Sequence, residues 1–418
     1  MVKQNSRAVI FQEGMKKVEM EEWADPELLK EVRKYGKFDT NACLNCGGCT
    51  ITCALSSNET IVSPRLSIQY VQTGLRKRLL NSLDPWLCYY CGDCSTSCPR
   101  QADPGETMMT LRRYFTANYD WTGLAKKLYT SKVWEFAAIF LLAGIVFLVW
   151  TLLPGLGLPT TSEGMSFNDL APAEIVHFVD MVVAILLASL LLSFVFNMYL
   201  KTMKSDKSIK IPLKLYFTEM GNMVFNFVFQ WRFSQCDKDN KSLIKQIREG
   251  KHNYWITHFL LMSGYALLFL MIVFFLEWFQ GNDESYHWWN IQRIIGFYGT
   301  IVLIFGTIYF LIRRIKKDTE KSKFSHTTDW TFVILLLLTT LTGIAIFICR
   351  INNLPLVGFY MYLIHLMVAI PMLMIEVPFS KWAHLAYRPV AIYFYRIKEK
   401  AIQLQQQKLN ELSTTEVK

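Results

Sequence analysis

Eight of the ten cysteines stand in two runs of one pattern. The first is Cys43, Cys46, Cys49 and Cys53, in CLNCGGCTITC. The second is Cys88, Cys91, Cys94 and Cys98, in CYYCGDCSTSCP. Both read C-x2-C-x2-C-x3-C. Thiolates ligate soft metal centres. The tight spacing lets three of them wrap three irons of one cubane and carries the fourth on toward another centre. With two such runs, the fourth cysteine of each serves the other's cluster. The expectation is therefore two [4Fe–4S] clusters. Cys43, Cys46, Cys49 and Cys98 would hold one. Cys88, Cys91, Cys94 and Cys53 would hold the other. Gly47, Gly48 and Gly92 let the backbone turn closely around sulfide. Pro99 follows the second run, whereas Ala54 follows the first. Structural zinc wants C-x2-C pairs set further apart, and disulfides want an oxidising compartment; both fit the pattern less well. Cys236 and Cys349 stand alone and read as ordinary thiols or small buried side chains.

The second set of candidate ligands is histidine: His177, His252, His258, His287, His326, His365 and His384. Two imidazoles at one depth on neighbouring helices can hold a haem iron. Covalently attached c-type haem is excluded, because no C-x-x-C-H occurs. Asp180 lies three residues after His177 and could relay a proton there, or bond to a helix neighbour. Glu376, near Pro378, is a similar case.

The elements that must position these groups are apolar. Six long runs, at 133–153, 174–199, 255–279, 294–312, 329–349 and 359–383, each approach the ~20 residues needed to cross a bilayer as a helix. The chain is 52% hydrophobic and 19% charged, with net charge +10. That composition excludes a disordered chain. The basic residues fall mainly in two connections: eleven from Lys201 to Lys251, and six from Arg313 to Lys323. The alternating connections are nearly free of them. This is the positive-inside pattern, and it displaces nucleic acid as the reason for the charge. It places both termini and the 200–254 and 313–328 connections in the cytoplasm. The start of the chain has no apolar core of signal-peptide length. The segment Gly221–Phe233 is too short to span and is expected to lie on the membrane surface.

This topology gives the histidines depths. His177 and His365 fall near the outer face, His258 and His384 near the inner face. His365 and His384 are ~28 Å apart along one helix, too far for a single haem. Depth pairs His177 with His365 and His258 with His384, as two b-type haems; a one-haem version remains open. His326 rivals His258 but belongs to the charged stretch KSKFSH. His252 and His287 are loop residues. Residues 64–83 and 105–116 read as amphipathic helices between and after the cysteine runs. Trp86, Tyr89 and Tyr90 are expected to shield the second cluster.

The tandem cysteine runs resemble the C subunit of heterodisulfide reductases. The membrane half resembles the cytochrome b (E) subunit of the same enzymes. It is also similar to the haem-b subunit of respiratory nitrate reductases, where a last-helix histidine precedes a P-F-S-[KR]-x-x-H segment; here His365 precedes PFSKWAH, Pro378 to His384. In that cytochrome both partners of a haem pair lie on one helix, whereas His177 and His258 come from two. The fusion of both halves resembles the membrane-spanning C subunit of quinone-interacting membrane-bound oxidoreductase complexes. The resemblance implies a menaquinone-linked electron-transfer subunit in the cytoplasmic membrane. It also implies soluble flavin and iron–sulfur partners like the A subunit of heterodisulfide reductases, and exchange with adenylylsulfate reductase.

The expected fold class is mainly α. A small helical ferredoxin-type dicluster domain (1–130) precedes a six-helix transmembrane haem-b bundle (131–390) and a cytoplasmic tail (391–418). Two other functions stay open: an electron relay and anchor that does not react with quinone, and a membrane iron–sulfur redox sensor.

Overall fold

The computed structural model describes residues 23–39, 41–56, 62–152, 173–204, 209–230, 253–280, 289–317 and 319–416. Among them regular structure is helical throughout, with no strand. The chain divides into two compact units. Met1–Tyr119, Val195–Arg232 and Leu385–Lys418 form one; Asp120–Phe194 and Phe233–His384 form the other.

In chain order the helices are α1 (Leu28–Val32), α2 (Gly48–Thr52), α3 (Pro64–Gln72), α4 (Arg76–Asn81), α5 (Asp84–Leu87), α6 (Asp93–Thr96), α7 (Pro104–Tyr119), α8 (Leu124–Thr130), α9 (Lys132–Leu152) and α10 (Ala173–Tyr199). Then follow α11 (Leu213–Thr218), α12 (Met220–Phe229), α13 (Asn253–Gln280), α14 (Ile291–Lys316), α15 (Glu320–Lys323), α16 (Thr327–Ile351), α17 (Pro355–Pro371), α18 (Val377–Phe379) and α19 (His384–Glu416).

In the first unit, the single helix expected over 64–83 is two. Gly74 breaks it at φ +75°, where a Cβ would stand 2.6 Å from the Asp25 carbonyl oxygen. Only glycine tolerates both the dihedral and the approach. Ser63 caps α3, its side chain accepting from the Leu66 amide. The 105–116 segment is not amphipathic in its setting. It becomes α7, buried on all sides, and forms the centre of the unit. Trp86 lies against Tyr119 and Tyr387, with ring centroids 6.5 and 5.0 Å away. Tyr387 belongs to α19, which packs into this unit. Tyr387, Ala391, Phe394, Ile397 and Ala401 are buried at the three- and four-residue steps of one helical face. Tyr393 donates to the Tyr216 carbonyl (2.6 Å), and Lys400 and Arg396 pair with buried Glu219. Of the expected surface segment, α12 carries exposed Phe225, Phe227 and Phe229; residues 231–233 lie outside the described residues.

Six helical stretches among the described residues are long and apolar enough to cross a membrane: Lys132–Leu152, Glu174–Lys204, Asn253–Phe275, Ile291–Lys316, Thr327–Ile351 and Pro355–Phe379. Their outward faces carry Phe140, Leu141, Ile185, Leu192, Phe274 and Ile301, each at least 60% exposed. An apolar exterior of this extent suits lipid and not water. The chain is a multi-pass membrane protein. α13 and α14 approach closely through small residues. A Cβ on Gly299 or Gly306 would come within 2.7 Å of Leu268 or Leu261, the kind of contact by which helices pack in lipid.

The last span departs from expectation. It does not run straight to residue 383. After α17 come a π-helical turn (Met372–Glu376), α18, an extended Ser380 (φ −131°, ψ −144°) and a 3-10 turn (Lys381–Ala383). His384 therefore heads a new helix, and the ~28 Å straight-helix separation from His365 does not apply. Pro378 removes a backbone donor, and Glu376 takes the freed Lys381 amide (3.1 Å).

Candidate metal centres

The first cysteine run turns into α2 through Gly47, whose φ of +85° is open to glycine. Cys43, Cys46 and Cys49 line one cavity, and Cys98, from the second run, lines the same cavity. Arg65, Pro99 and Arg100 complete its rim. Cys98 Sγ accepts the Ala102 amide (3.4 Å). This side of the unit faces solvent: Cys46 is exposed, and Leu44 and Ile51 are 67% and 86% exposed.

The second run enters α6 through Gly92 at φ +96°. α2 and α6 pack together, which brings Cys53 within electrostatic range of Cys88, Cys91 and Cys94. Cys88 and Cys94 are buried, and the Tyr90 amide donates to Cys88 Sγ (3.3 Å). Burial pushes the Cys49, Cys53, Cys88 and Cys94 thiols above their ordinary value, with neighbouring cysteines adding to the rise. A centre that takes them as thiolates must bring compensating positive charge. Among the described residues, no three His, Cys, Asp or Glu side chains converge tightly enough to hold a single ion. A mononuclear zinc needs four donors within about 2.3 Å of one point. The cysteines surround a volume instead.

Two arginines that sequence reasoning passed over meet at the second run. Arg112, on α7, donates to the carbonyls of Pro85 (2.6 Å) and Cys88. Arg388, on α19, donates to the same Cys88 carbonyl (3.4 Å) and lies over the Tyr89 ring at 4.1 Å. Burial pushes the Arg112 guanidinium below its ordinary value, and Arg388 pushes it the same way; a guanidinium nonetheless keeps its charge in proteins. Nothing in the sequence links positions 300 residues apart.

The second unit brings two of the four expected haem histidines together. The rings of His258 and His384 have centroids 6.1 Å apart at 58°. Two imidazoles on opposite sides of one metal, each bound at about 2 Å, have centroids about 6 Å apart. His384 Nδ1 donates to the Lys381 carbonyl, the kind of outer bond that fixes the orientation of a metal-binding imidazole. These two residues fit the group. His326, the other inner-side candidate, has a capping role. It is the N-cap of α16, its Nδ1 accepting the Thr328 amide (3.3 Å) while its own amide donates to Asp329 (3.1 Å).

His177 and His365 share no ring contact. His365 Nδ1 bonds the Thr342 hydroxyl (2.9 Å), beside Gly343. His177 Nε2 faces the Val273 carbonyl (3.3 Å), which leaves only Nδ1. Asp180 lies within electrostatic range of His177 and Tyr362. His252 and His287 lie outside the described residues, as does Cys236. Cys349 is buried.

Sequence reasoning also missed Glu135 and Asp329, whereas it singles out Glu376. Glu135, Asp329 and Glu376 are 1%, 4% and 0% exposed and lie within electrostatic range of one another. Lys381 pairs with Asp329 at 2.5 Å. The signal was available: acids in the first turns of two apolar spans are expensive in a bilayer and point to function.

Comparison with known proteins adds one relationship. Over 84 residues the chain is 32% identical to the C subunit of the ferredoxin:CoB-CoM heterodisulfide reductase of Methanosarcina acetivorans, covering 20% of this chain and 33% of that protein. Over 130 residues it is 27% identical to the iron-sulfur C subunit of the CoB–CoM heterodisulfide reductase of Methanopyrus kandleri, covering 29% and 62%. Over 77 residues it is 29% identical to the C subunit of the H(2):CoB-CoM heterodisulfide,ferredoxin reductase of Methanothermobacter marburgensis, covering 18% and 41%. The chain thus spans between a third and three-fifths of the length of these relatives. No family model and no solved structure matches it. The chain is similar to the C subunit of heterodisulfide reductases.

Proposed function

We propose that the chain is an electron-transfer subunit of a quinone-linked oxidoreductase complex, working between menaquinone or menaquinol in the membrane and soluble redox subunits in the cytoplasm. The observation that carries this reading is the single cavity lined by Cys43, Cys46, Cys49 and Cys98. It joins three cysteines of one run to the last of the other, as two crossed ferredoxin-type centres require. Cys88, Cys91, Cys94 and Cys53 hold the second [4Fe–4S] cluster. His258 and His384 hold one b-type haem, and His365 with His177 a second. When bound, these groups supply one-electron carriers over a range of potentials. The chain's own part is to present the ligands, keep water from Cys88 and Cys94, and orient His384 through its Nδ1 bond. Asp180, beside His177, carries a proton for the outer site.

The names of the relatives support partners of the heterodisulfide reductase type. The resemblance to quinone-interacting membrane-bound complexes makes those partners flavin and iron–sulfur proteins like the A subunit of heterodisulfide reductases, with adenylylsulfate reductase beyond them. The protein sits in the cytoplasmic membrane, with the cysteine-bearing region and the C-terminus inside, as the basic connections require. The cluster domain occupies 1–130, the haem-bearing spans 131–390 and the tail 391–418.

The test is the visible spectrum of the purified, detergent-solubilised chain before and after a reduced menaquinone analogue is added. Sharp b-haem bands on quinol addition are expected. His258→Ala and His384→Ala should each remove the same share of those bands, while His326→Ala keeps them. No haem bands under any reductant, in protein made with ample haem, would overturn the haem and quinone parts of the reading.

A further inference from the structure

Arg112 is a partly buried cation with no carboxylate against it among the described residues. Its contacts are the carbonyls of Pro85 and Cys88, the Met109 sulfur at 3.6 Å and the face of Trp86 at 5.9 Å. The other charge that bears most on it is a second cation, Arg388. Both guanidiniums donate to one acceptor, the Cys88 carbonyl. Two like charges drawn to one neutral oxygen in a poorly hydrated place are costly unless an anion stands nearby. Cys88, whose carbonyl takes both guanidiniums, is the first cysteine of the second run.

We infer that Arg112 and Arg388 are the counter-charge of the iron–sulfur group bound by Cys88, Cys91, Cys94 and Cys53, and that they keep it reducible despite its burial. The inference rests on the iron–sulfur reading above. A cluster held by four thiolates is an anion. Reduction by one electron, taken from a quinol-class donor or a reducing partner, makes it more negative by one charge, with no bond made or broken. Burial opposes that added charge, because low-dielectric surroundings penalise it. A fixed positive charge close by favours it. The first run has arginines too, Arg65 and Arg100, but both are exposed, where water and salt screen them. The second run has Cys88 and Cys94 buried, and its two half-buried arginines act there with less screening. Their role is positioning and electrostatic, since the contact is to a carbonyl and not to sulfur.

The experiment is a redox titration of the full, detergent-solubilised chain, read by electron paramagnetic resonance. The first-run cluster is identified by the signal that changes in Cys46→Ser. In Arg388→Gln the midpoint of the second-run cluster should fall while that of the first-run cluster stays. In Arg388→Lys, which keeps the charge, the second-run midpoint should stay close to its original position. Arg112→Gln should lower the second-run midpoint in the same way and stands in if Arg388→Gln does not fold. An unchanged second-run midpoint in Arg388→Gln would overturn the inference. So would equal shifts of both clusters, or a lysine variant that shifts as far as the glutamine one. If the unsubstituted chain assembles no cluster, the iron–sulfur reading itself fails and takes this inference with it.

Discussion

The two cysteine runs share one spacing and differ in almost everything around it. The first lies at the surface, with Cys46 exposed and Leu44 and Ile51 standing in solvent. The second has Cys88 and Cys94 buried, as are Trp86 and Tyr89 beside them in the chain, and two guanidiniums at the Cys88 carbonyl. A motif of this kind fixes which group is bound. Its surroundings fix how that group behaves, because cluster potential follows exposure, hydrogen bonding and nearby charge. One run thus suits exchange with a soluble partner, and the other suits protected storage of an electron.

The contrast can be broken most sharply at the ligands. Cys46→Ser and Cys94→Ser should each remove about half the iron, since each run supplies three ligands to one centre. Cys94→Ser should also lower the yield of folded protein, because that side chain is part of the core; Cys46→Ser should not. Iron analysis and size-exclusion profiles of the two variants check this. Equal yields would erase the distinction between the runs. Trp86→Ala comes next. Removing a fully buried tryptophan costs about 3–5 kcal/mol, seen as a lower thermal midpoint, and it should also open the second centre to chelator. In the unsubstituted protein, chelator or mild oxidant should take iron in two phases. About half should leave in the fast phase, from the exposed centre; a single phase would contradict the difference in burial.

Smaller effects sharpen the same comparison. Burial pushes the Asp84 carboxyl, on the helix leading into the second run, up to about 7, against hydrogen bonds from Ser63 and Ser82 that favour its charged form. A raised carboxyl pKa means the folded state binds the proton more tightly. The stability it contributes is full below the ordinary carboxylate value near 4 and is lost as pH rises through about 7. Thermal midpoints between those values should therefore fall with pH, and Asp84→Asn should flatten the slope. The least effect is expected from Ser63→Ala, which deletes the α3 cap and costs about 1 kcal/mol.

The six spans were legible because a membrane helix needs a long apolar run and little else. The cysteine cavity was legible because two runs repeat one spacing, and a repeat of that kind calls for the last cysteine of one run, Cys98, to join the other. What escaped depended on contacts between distant positions. The division of 64–83 at Gly74 comes from the Asp25 backbone, and the order of the C-terminal segment comes from Tyr387 packing on Trp86. The break at Ser380 lies inside an apolar run whose hydropathy gives no sign of it; Pro378 and buried Glu376 were the local clues. His326 looked like a ligand candidate because histidine is an uncommon N-cap, and only the Thr328 bond reveals the role.

The most direct test of the account is Mössbauer spectroscopy, with quantitative iron and sulfide analysis, on the full chain produced in isotopically enriched iron. The expected result is four-iron clusters, with about eight irons per chain in those clusters beside any haem iron, and two populations that differ in response to reductant. Zinc in the cysteine sites, or cluster iron for one centre only, would contradict it.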